Sequence, residues 1–254
     1  MKKSKIKRCL AGVLAGLTLL LPSCIKSDRN ETYLYKTVAY SYTTQVDESV
    51  LTTGLDSAYL YLANKQNPVS ETYDPGTLVT LSTDYAWRSI QLEERTAKAL
   101  MEMMEEMWAD GIRDAKVTSG YRTYSYQNSL YQKYIQDEMA KGYSRAEAEQ
   151  RAETYSAPPG YSEHQTGFVA DFLGSGASDL DESFENTAAF GWLSANCWRF
   201  GFILRYPKSE EKIAITGYSY EPWHYRFVGR EAATEIMKRG ITLEEFLSMQ
   251  FEKS

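Results

Sequence analysis

The run Ser162-Glu163-His164-Gln165-Thr166-Gly167-Phe168-Val169-Ala170-Asp171, followed further on by Glu221-Pro222-Trp223-His224, decides how this chain folds. These two stretches hold both histidines of the 254-residue sequence, and each histidine has a carboxylate at short spacing. A catalytic zinc site takes three nitrogen or oxygen ligands from the protein and leaves one position open for water. His164, Asp171 and His224 make up such a set. The seven-residue step from His164 to Asp171 crosses Gly167, which suits a turn entering a strand whose far end returns a carboxylate to the same ion. Glu221 is then left without a ligand role. Metal-assisted hydrolysis needs a group that takes a proton from water and hands it to the leaving amine, and Glu221, three residues before His224, is placed for it. Pro222 argues against a helix interior, so the pair belongs on a turn rather than on an HExxH helix.

Outward from these stretches the pattern is mixed. Ser82 or Thr83 is expected to cap a helix through about Ala109, with Trp87, Ile90, Ala97, Leu100, Met104, Met107 and Trp108 near helical spacing and Asp110-Gly111 as its stop. A short strand is expected at 115–118, running into Ser119-Gly120-Tyr121-Arg122. A helix follows at about 125–139, then a second through about 154 that opens on a Ser144/Glu147 capping box. Strands are expected at 167–172, 202–206, 212–216 and 223–227, with a helix around 186–198 between them and helices at 230–238 and 243–249 closing the chain. The segment 50–80 carries turn signals at Asn64, Asn67-Pro68 and Asp74-Pro75-Gly76 and wraps the core. No internal repeat is visible. The fold class is α+β, one domain over 50–254 with a central antiparallel sheet flanked by helices and a motif core at about 115–230.

The paired pattern SEHQTGFVAD and EPWH resembles the SxHxxGxAxD and ExxH signature of the VanY-type D-alanyl-D-alanine carboxypeptidase family, within the zinc peptidases that also include lysostaphin and hedgehog domains. It departs only in that Ala170 stands one place before the aspartate, with Val169 ahead of it. The likeness extends from about Ser119 to Gly229, taking in Ser119-Gly120-Tyr121-Arg122, Asn196-Cys197-Trp198-Arg199-Phe200-Gly201-Phe202 and Ile215-Thr216-Gly217-Tyr218. It implies one zinc held by His164, Asp171 and His224, with Glu221 as catalytic base. It also implies that Arg122 binds substrate and steadies the oxyanion, and that Gln127 and Ser162 contact the substrate's terminal carboxylate. Charge-assisted bonds of the kind Arg122 offers are worth about 1.5–3 kcal/mol. Tyr121, Tyr124, Trp223 and Tyr225 are expected along the cleft.

The activity so implied is removal of the terminal D-alanine from peptidoglycan stem peptides. Family members divide between D,D-carboxypeptidases acting on pentapeptides and L,D-carboxypeptidases acting on tetrapeptides, and the first is favoured. The contrasting reading is a non-catalytic cell-wall-binding lipoprotein, against which the full set of His164, Asp171, His224, Glu221 and Arg122 speaks.

Composition fits an exported protein. Hydrophobic residues make up 43% of the chain and charged residues 24%, enough for an ordinary core without disulfides. The 28 Lys and Arg against 34 Asp and Glu give a net charge of −6, and no nucleic-acid partner is expected because phosphate backbones call for a basic footprint. Residues 1–23 read as a signal peptide: a basic stretch through Arg8, then an apolar run from Cys9 to Leu21. That run spans only about 20 Å as a helix, short of a bilayer's roughly 30 Å core. Leu21-Pro22-Ser23-Cys24 resembles a bacterial lipobox, which implies diacylglycerol on Cys24 and a place on the outer face of the cytoplasmic membrane. The polar stretch over 24–49 reads as a tether, and a monomer is expected. Of the three cysteines only Cys197 then remains free, in an apolar helical pattern that reads as core. Cys24→Ala is expected to abolish acylation, checked by radiolabelled palmitate; equal label in wild type and variant would overturn the lipobox.

Overall fold

Glu93 decides where the first helix begins. Its carboxylate accepts from the backbone N–H groups of Arg95 and Thr96 at 3.1 and 2.9 Å, so α1 runs from Glu94 to Ala109. The residues ahead of it are extended, β1 (Leu78–Thr80) pairing antiparallel with β2 (Gln91–Glu93). The helix expected over 82–109 therefore holds only from Glu94 onward. Ser82 does accept from Tyr85 and Ala86 in a single turn, but Trp87 N–H then donates to Val117 O and Val117 N–H to Tyr85 O, so the backbone is spent on the sheet. The computed structural model describes residues 55–251; the expected signal segment (1–23), Cys24 and the tether (24–49) lie outside the described residues.

The main sheet has the order β3-β4-β6-β5, all neighbours antiparallel, from β3 (Ala115–Ser119), β4 (Val169–Gly174), β5 (Phe202–Leu204) and β6 (His224–Phe227). Side chains alternate across a strand, and the two faces divide accordingly. Ala170 and Phe172 on β4, with Tyr225 and Phe227 on β6, point into the main core, to which α1 contributes Leu100, Met103, Met104 and Met107. Val169 and Asp171 point the other way, as do their cross-strand partners Arg226 and His224. One face thus makes the core and the other carries the polar residues.

Helices close both sides. α4 (Ala188–Asn196), capped by Thr187, brings the wholly buried Trp192 and Leu193 onto the main core. α6 (Arg230–Arg239) and α7 (Leu243–Phe251) build a second cluster with Ile203 and Val228. Fully burying an aromatic or aliphatic side chain of this size is worth about 1.5–3 kcal/mol. α2 (Tyr124–Ala140) and α3 (Arg145–Ala152) form a helical hairpin over Tyr131, Ile135, Ala148 and Ala152, and the Ser144/Glu147 capping box is present.

One expected strand is a helix. Residues 212–216 lie in α5 (Glu210–Thr216). The β-branched Ile213, Ile215 and Thr216 suggest a strand, yet Ser209 caps the segment, Glu210 and Glu211 sit in its first turn, and Gly217 ends it at φ 77°. End signals outweigh propensity in so short a piece.

Cys197 is fully buried in the main core, and that burial pushes its thiol pKa up to about 12. Since the thiolate is the reactive form, Cys197 in the native protein is expected to resist iodoacetamide at pH 8 and to react after unfolding. Peptide mapping of the alkylated chain checks this; rapid native-state labelling would show the helix to be open.

Candidate metal centre and catalytic cleft

Sheet register brings the first two metal candidates together. Asp171 on β4 is the direct antiparallel partner of His224 at the start of β6, and Asp171 Oδ1 lies 3.1 Å from His224 Nδ1. His164 arrives from outside the sheet, on a 3-10 turn (Glu163–Thr166) that Gly167 ends at φ 78°. A Cβ at Gly167 would stand 3.1 Å from Glu93 N, so both the backbone angle and the space there call for glycine. His164 Nδ1 is 2.7 Å from Gly120 O; a carbonyl can only accept, so Nδ1 carries the proton and Nε2 is left for a ligand. Nε2 lies 3.2 Å from Asp171 Oδ2. Gly120 is itself pinned, since a Cβ there would fall 2.6 Å from Gln91 O.

These donors suit a small tetrahedral cation. All three ligand atoms lie within 4.8 Å of one another and all three residues are buried. Ligands at about 2.1 Å in a tetrahedron stand about 3.4 Å apart, close to the two separations just given. Asp171 Oδ1 is buried and has no hydrogen-bond partner among the described residues, which a cation would remedy.

Charge sets the protonation pattern. Burial raises the Asp171 carboxyl pKa, but His164 and His224 outweigh it and hold the group well below the carboxylate range. Burial, then Arg122, lowers the pKa of His164, which favours the neutral imidazole that a metal requires. Burial lowers that of His224 as well, but Asp171, Glu163 and Glu221 reverse it and lift it well above the usual value. The three acids around His224 thus make the spot strongly attractive to positive charge. Glu221 has its pKa raised by burial, His224 offsetting this in part.

Glu221 is held by a turn rather than a helix. Pro222 follows it, the turn closes with His224 N–H donating to Glu221 O at 3.2 Å, and Glu221 Oε2 reaches 3.3 Å from His224 Nδ1. Arg122 leaves β3 just beyond Ser119. Its backbone N–H donates to His164 O, and its guanidinium donates to Ser119 Oγ, to Asp171 Oδ2 at 3.1 Å and to Gln127 Oε1 at 3.1 Å. Four of its five donors are thereby occupied, leaving one for the cleft it lines. Gln127 lies behind Arg122, 1% exposed, with Nε2 donating to Ala157 O at 2.7 Å; it is not among the residues lining the cleft. Ser162 does line it.

The cleft has a volume of about 310 Å³ and opens onto Glu221, His164, Asp171 and His224. Of the four aromatic residues expected along it, Trp223 is there. Tyr225 belongs to the core side of β6, Tyr121 lines a separate groove with Arg88 and Tyr126, and Tyr124 packs at Gly160. The alternation of β6 forbids His224 and Tyr225 from sharing a face. Tyr134 of α2, Tyr155 in the turn after α3, and Tyr206 and Tyr218 beside the centre line the wall instead. The Tyr206 ring lies 4.7 Å from that of His224. Sequence reasoning also passed over Glu163, although a carboxylate next to a candidate ligand was a signal.

Comparison with known proteins agrees with this geometry. The family model described as VanY, D-alanyl-D-alanine carboxypeptidase, matches residues 89–230. A D-alanyl-D-alanine carboxypeptidase of Enterococcus faecalis (strain ATCC 700802 / V583) is 38% identical over 191 residues, 75% of this chain and 66% of that protein; the chain thus spans about two thirds of that relative's length. Among solved structures, a point mutant of the vancomycin-resistance D,D-pentapeptidase VanY from a VanB-type resistance cassette, in complex with Zn(II), is 40% identical with a TM-score of 0.64, over 75% of this chain and 99% of that one. The LD-carboxypeptidase LdcB is 34% identical with a TM-score of 0.64, over 74% and 84%. The chain therefore belongs to the VanY family of D-alanyl-D-alanine carboxypeptidases.

Proposed function

We propose that this protein is a zinc-dependent D,D-carboxypeptidase that removes the terminal D-alanine from peptidoglycan stem peptides. The observation that carries the reading is the joining of a buried His-Asp-His donor set with Glu221 and Arg122 at the floor of one open cleft. Zinc, when bound by His164, Asp171 and His224, supplies a Lewis acid that makes water a better nucleophile and polarises the scissile carbonyl. Glu221 takes a proton from the attacking water and delivers it to the nitrogen of the departing D-alanine as the C–N bond breaks. Burial suits it to this, because a carboxylate with a raised pKa is the better base. Arg122 binds the reacting end of the substrate and steadies the charge that grows on its carbonyl oxygen. Gln127 acts through Arg122, and Ser162 offers its hydroxyl to the terminal carboxylate. Export and anchoring through an acylated Cys24, with the protein a monomer on the outer face of the bacterial membrane, would set the cleft beside this substrate; the basic and apolar opening of the chain supports that placement.

The higher identity to the D,D-enzyme favours D,D- over L,D-activity. Mass spectrometry of products decides the matter: loss of one alanine from a stem pentapeptide but not from a tetrapeptide is expected, and the reverse would make the protein an L,D-carboxypeptidase.

His224→Ala is expected to purify with much less than one equivalent of zinc and to lose turnover, since a three-ligand site depends on each ligand. Metal analysis showing a full equivalent with unchanged turnover would remove His224 from the site. Glu221→Gln, loaded with zinc, is expected to lower turnover by on the order of 10² to 10⁴ while keeping the metal. Zinc stoichiometry and turnover measured side by side distinguish the roles: loss of zinc would recast Glu221 as a ligand, and wild-type turnover would exclude it from catalysis.

A further inference from the structure

We infer that Glu163, which no step above employs, is a positioning residue that fixes the tautomer of His224 so that Nδ1 faces the metal. The inference rests on the ligand set proposed above. Glu163 is a sequence neighbour of His164, yet its side chain serves the other histidine. It is completely buried, and its Oε1 accepts from Arg205 Nε at 2.9 Å and from Arg226 Nη1 at 3.0 Å. Its Oε2 faces His224 Nε2 at 3.5 Å, and both atoms are buried without a hydrogen-bond partner among the described residues.

The carboxylate cannot turn away, because both guanidiniums that grip it are themselves fixed. Arg226 donates to Tyr59 O, Tyr61 O and Phe227 O. Arg205 forks onto Glu244 of α7 at 2.9 and 2.6 Å, and neither arginine's side chain is exposed. The two arginines and two glutamates balance in charge, which makes so deep a cluster tolerable. Its Oε2 is held against the imidazole as a consequence.

A carboxylate can only accept, so a proton on Nε2 of His224 is what gives both of these unpartnered atoms a partner. The lone pair is then on Nδ1, which lies between Asp171 Oδ1 at 3.1 Å and Glu221 Oε2 at 3.3 Å, on the side of the ligand set. With the opposite tautomer, Nδ1–H would donate to one of those carboxylates and offer nothing to a cation. An outer carboxylate of this kind typically contributes 10- to 100-fold to metal affinity.

The tautomer gives a readout that packing alone would not move. In the zinc-loaded, ¹⁵N-labelled full chain, long-range imidazole spectra are expected to show His224 protonated at Nε2 and zinc-shifted at Nδ1. His224 bound through Nε2 would overturn the inference while leaving the ligand set intact; a His224 indifferent to zinc would overturn both. Glu163→Gln sharpens the test. Arg205 and Arg226 can only donate, so they would take the amide oxygen and turn its NH₂ toward His224, favouring the wrong tautomer. Zinc affinity, measured by chelator competition, is expected to fall 10- to 100-fold in Glu163→Gln but to stay within threefold in Glu244→Gln, which disturbs the same buried cluster away from the histidine. Equal losses in the two variants, or no loss in Glu163→Gln, would overturn the inference. The wild-type spectrum decides the question even where Glu163→Gln fails to fold.

Discussion

The antiparallel pairing of Asp171 with His224 is the constraint on which the rest of this structure depends. Two residues far apart in sequence become direct neighbours through one register between β4 and β6. Because side chains alternate with a period of two, slipping that register by one residue would send Asp171 or His224 into the core and bring Ala170 or Tyr225 to the cleft. The apolar partners on the reverse face hold the register: Ala170, Phe172, Tyr225 and Phe227 are all buried in the main core. The core thus does more than stabilise. It determines which face bears the donors.

Around that pair, each further element carries one polar group to the same place by a different backbone device. A 3-10 turn ended by a left-handed glycine delivers His164, the close approach of Gly120 to Gln91 provides the carbonyl that fixes its tautomer, and a proline turn presents Glu221. Arg122 is bound to Asp171 and, through its backbone, to His164. Few of these groups can shift alone. Such preorganisation suits a hydrolase, because donors that are already aligned need not reorganise when charge develops.

The deep cluster of Glu163, Arg205, Arg226 and Glu244 extends this logic to the end of the chain. Glu244 lies on α7, beyond the residues the family model matches, yet only Arg205 separates it from the carboxylate facing His224. A C-terminal helix is thereby tied to the metal centre by buried ion pairs. Breaking one partner of such a pair is costly, since the other is left charged and dry.

Much of the site was legible in the sequence because its residues lie in two short, chemically unusual runs. The histidines, Asp171, Glu221 and the SGYR arginine are recognisable by type and spacing, and the Ser144/Glu147 box is a local signal that needs no tertiary partner. What misled were segments where local preference and long-range pairing disagree. Residues 82–93 carry a helical apolar spacing, but their backbone bonds go to Val117 and to β1. Residues 212–216 carry strand formers between helix caps, and the caps prevail. The sequence by itself therefore determined the candidate donor types and the carboxylate beside them, which residue type and spacing in two short runs reveal, and the α+β class, which periodicity reveals. Only the tertiary structure decided that Tyr225 lies in the core, that Gln127 stands behind Arg122, that Tyr206 and Tyr218 flank the centre, and that Glu163 faces His224. Those placements depend on strand register and on burial among residues remote in the chain, which no local pattern encodes.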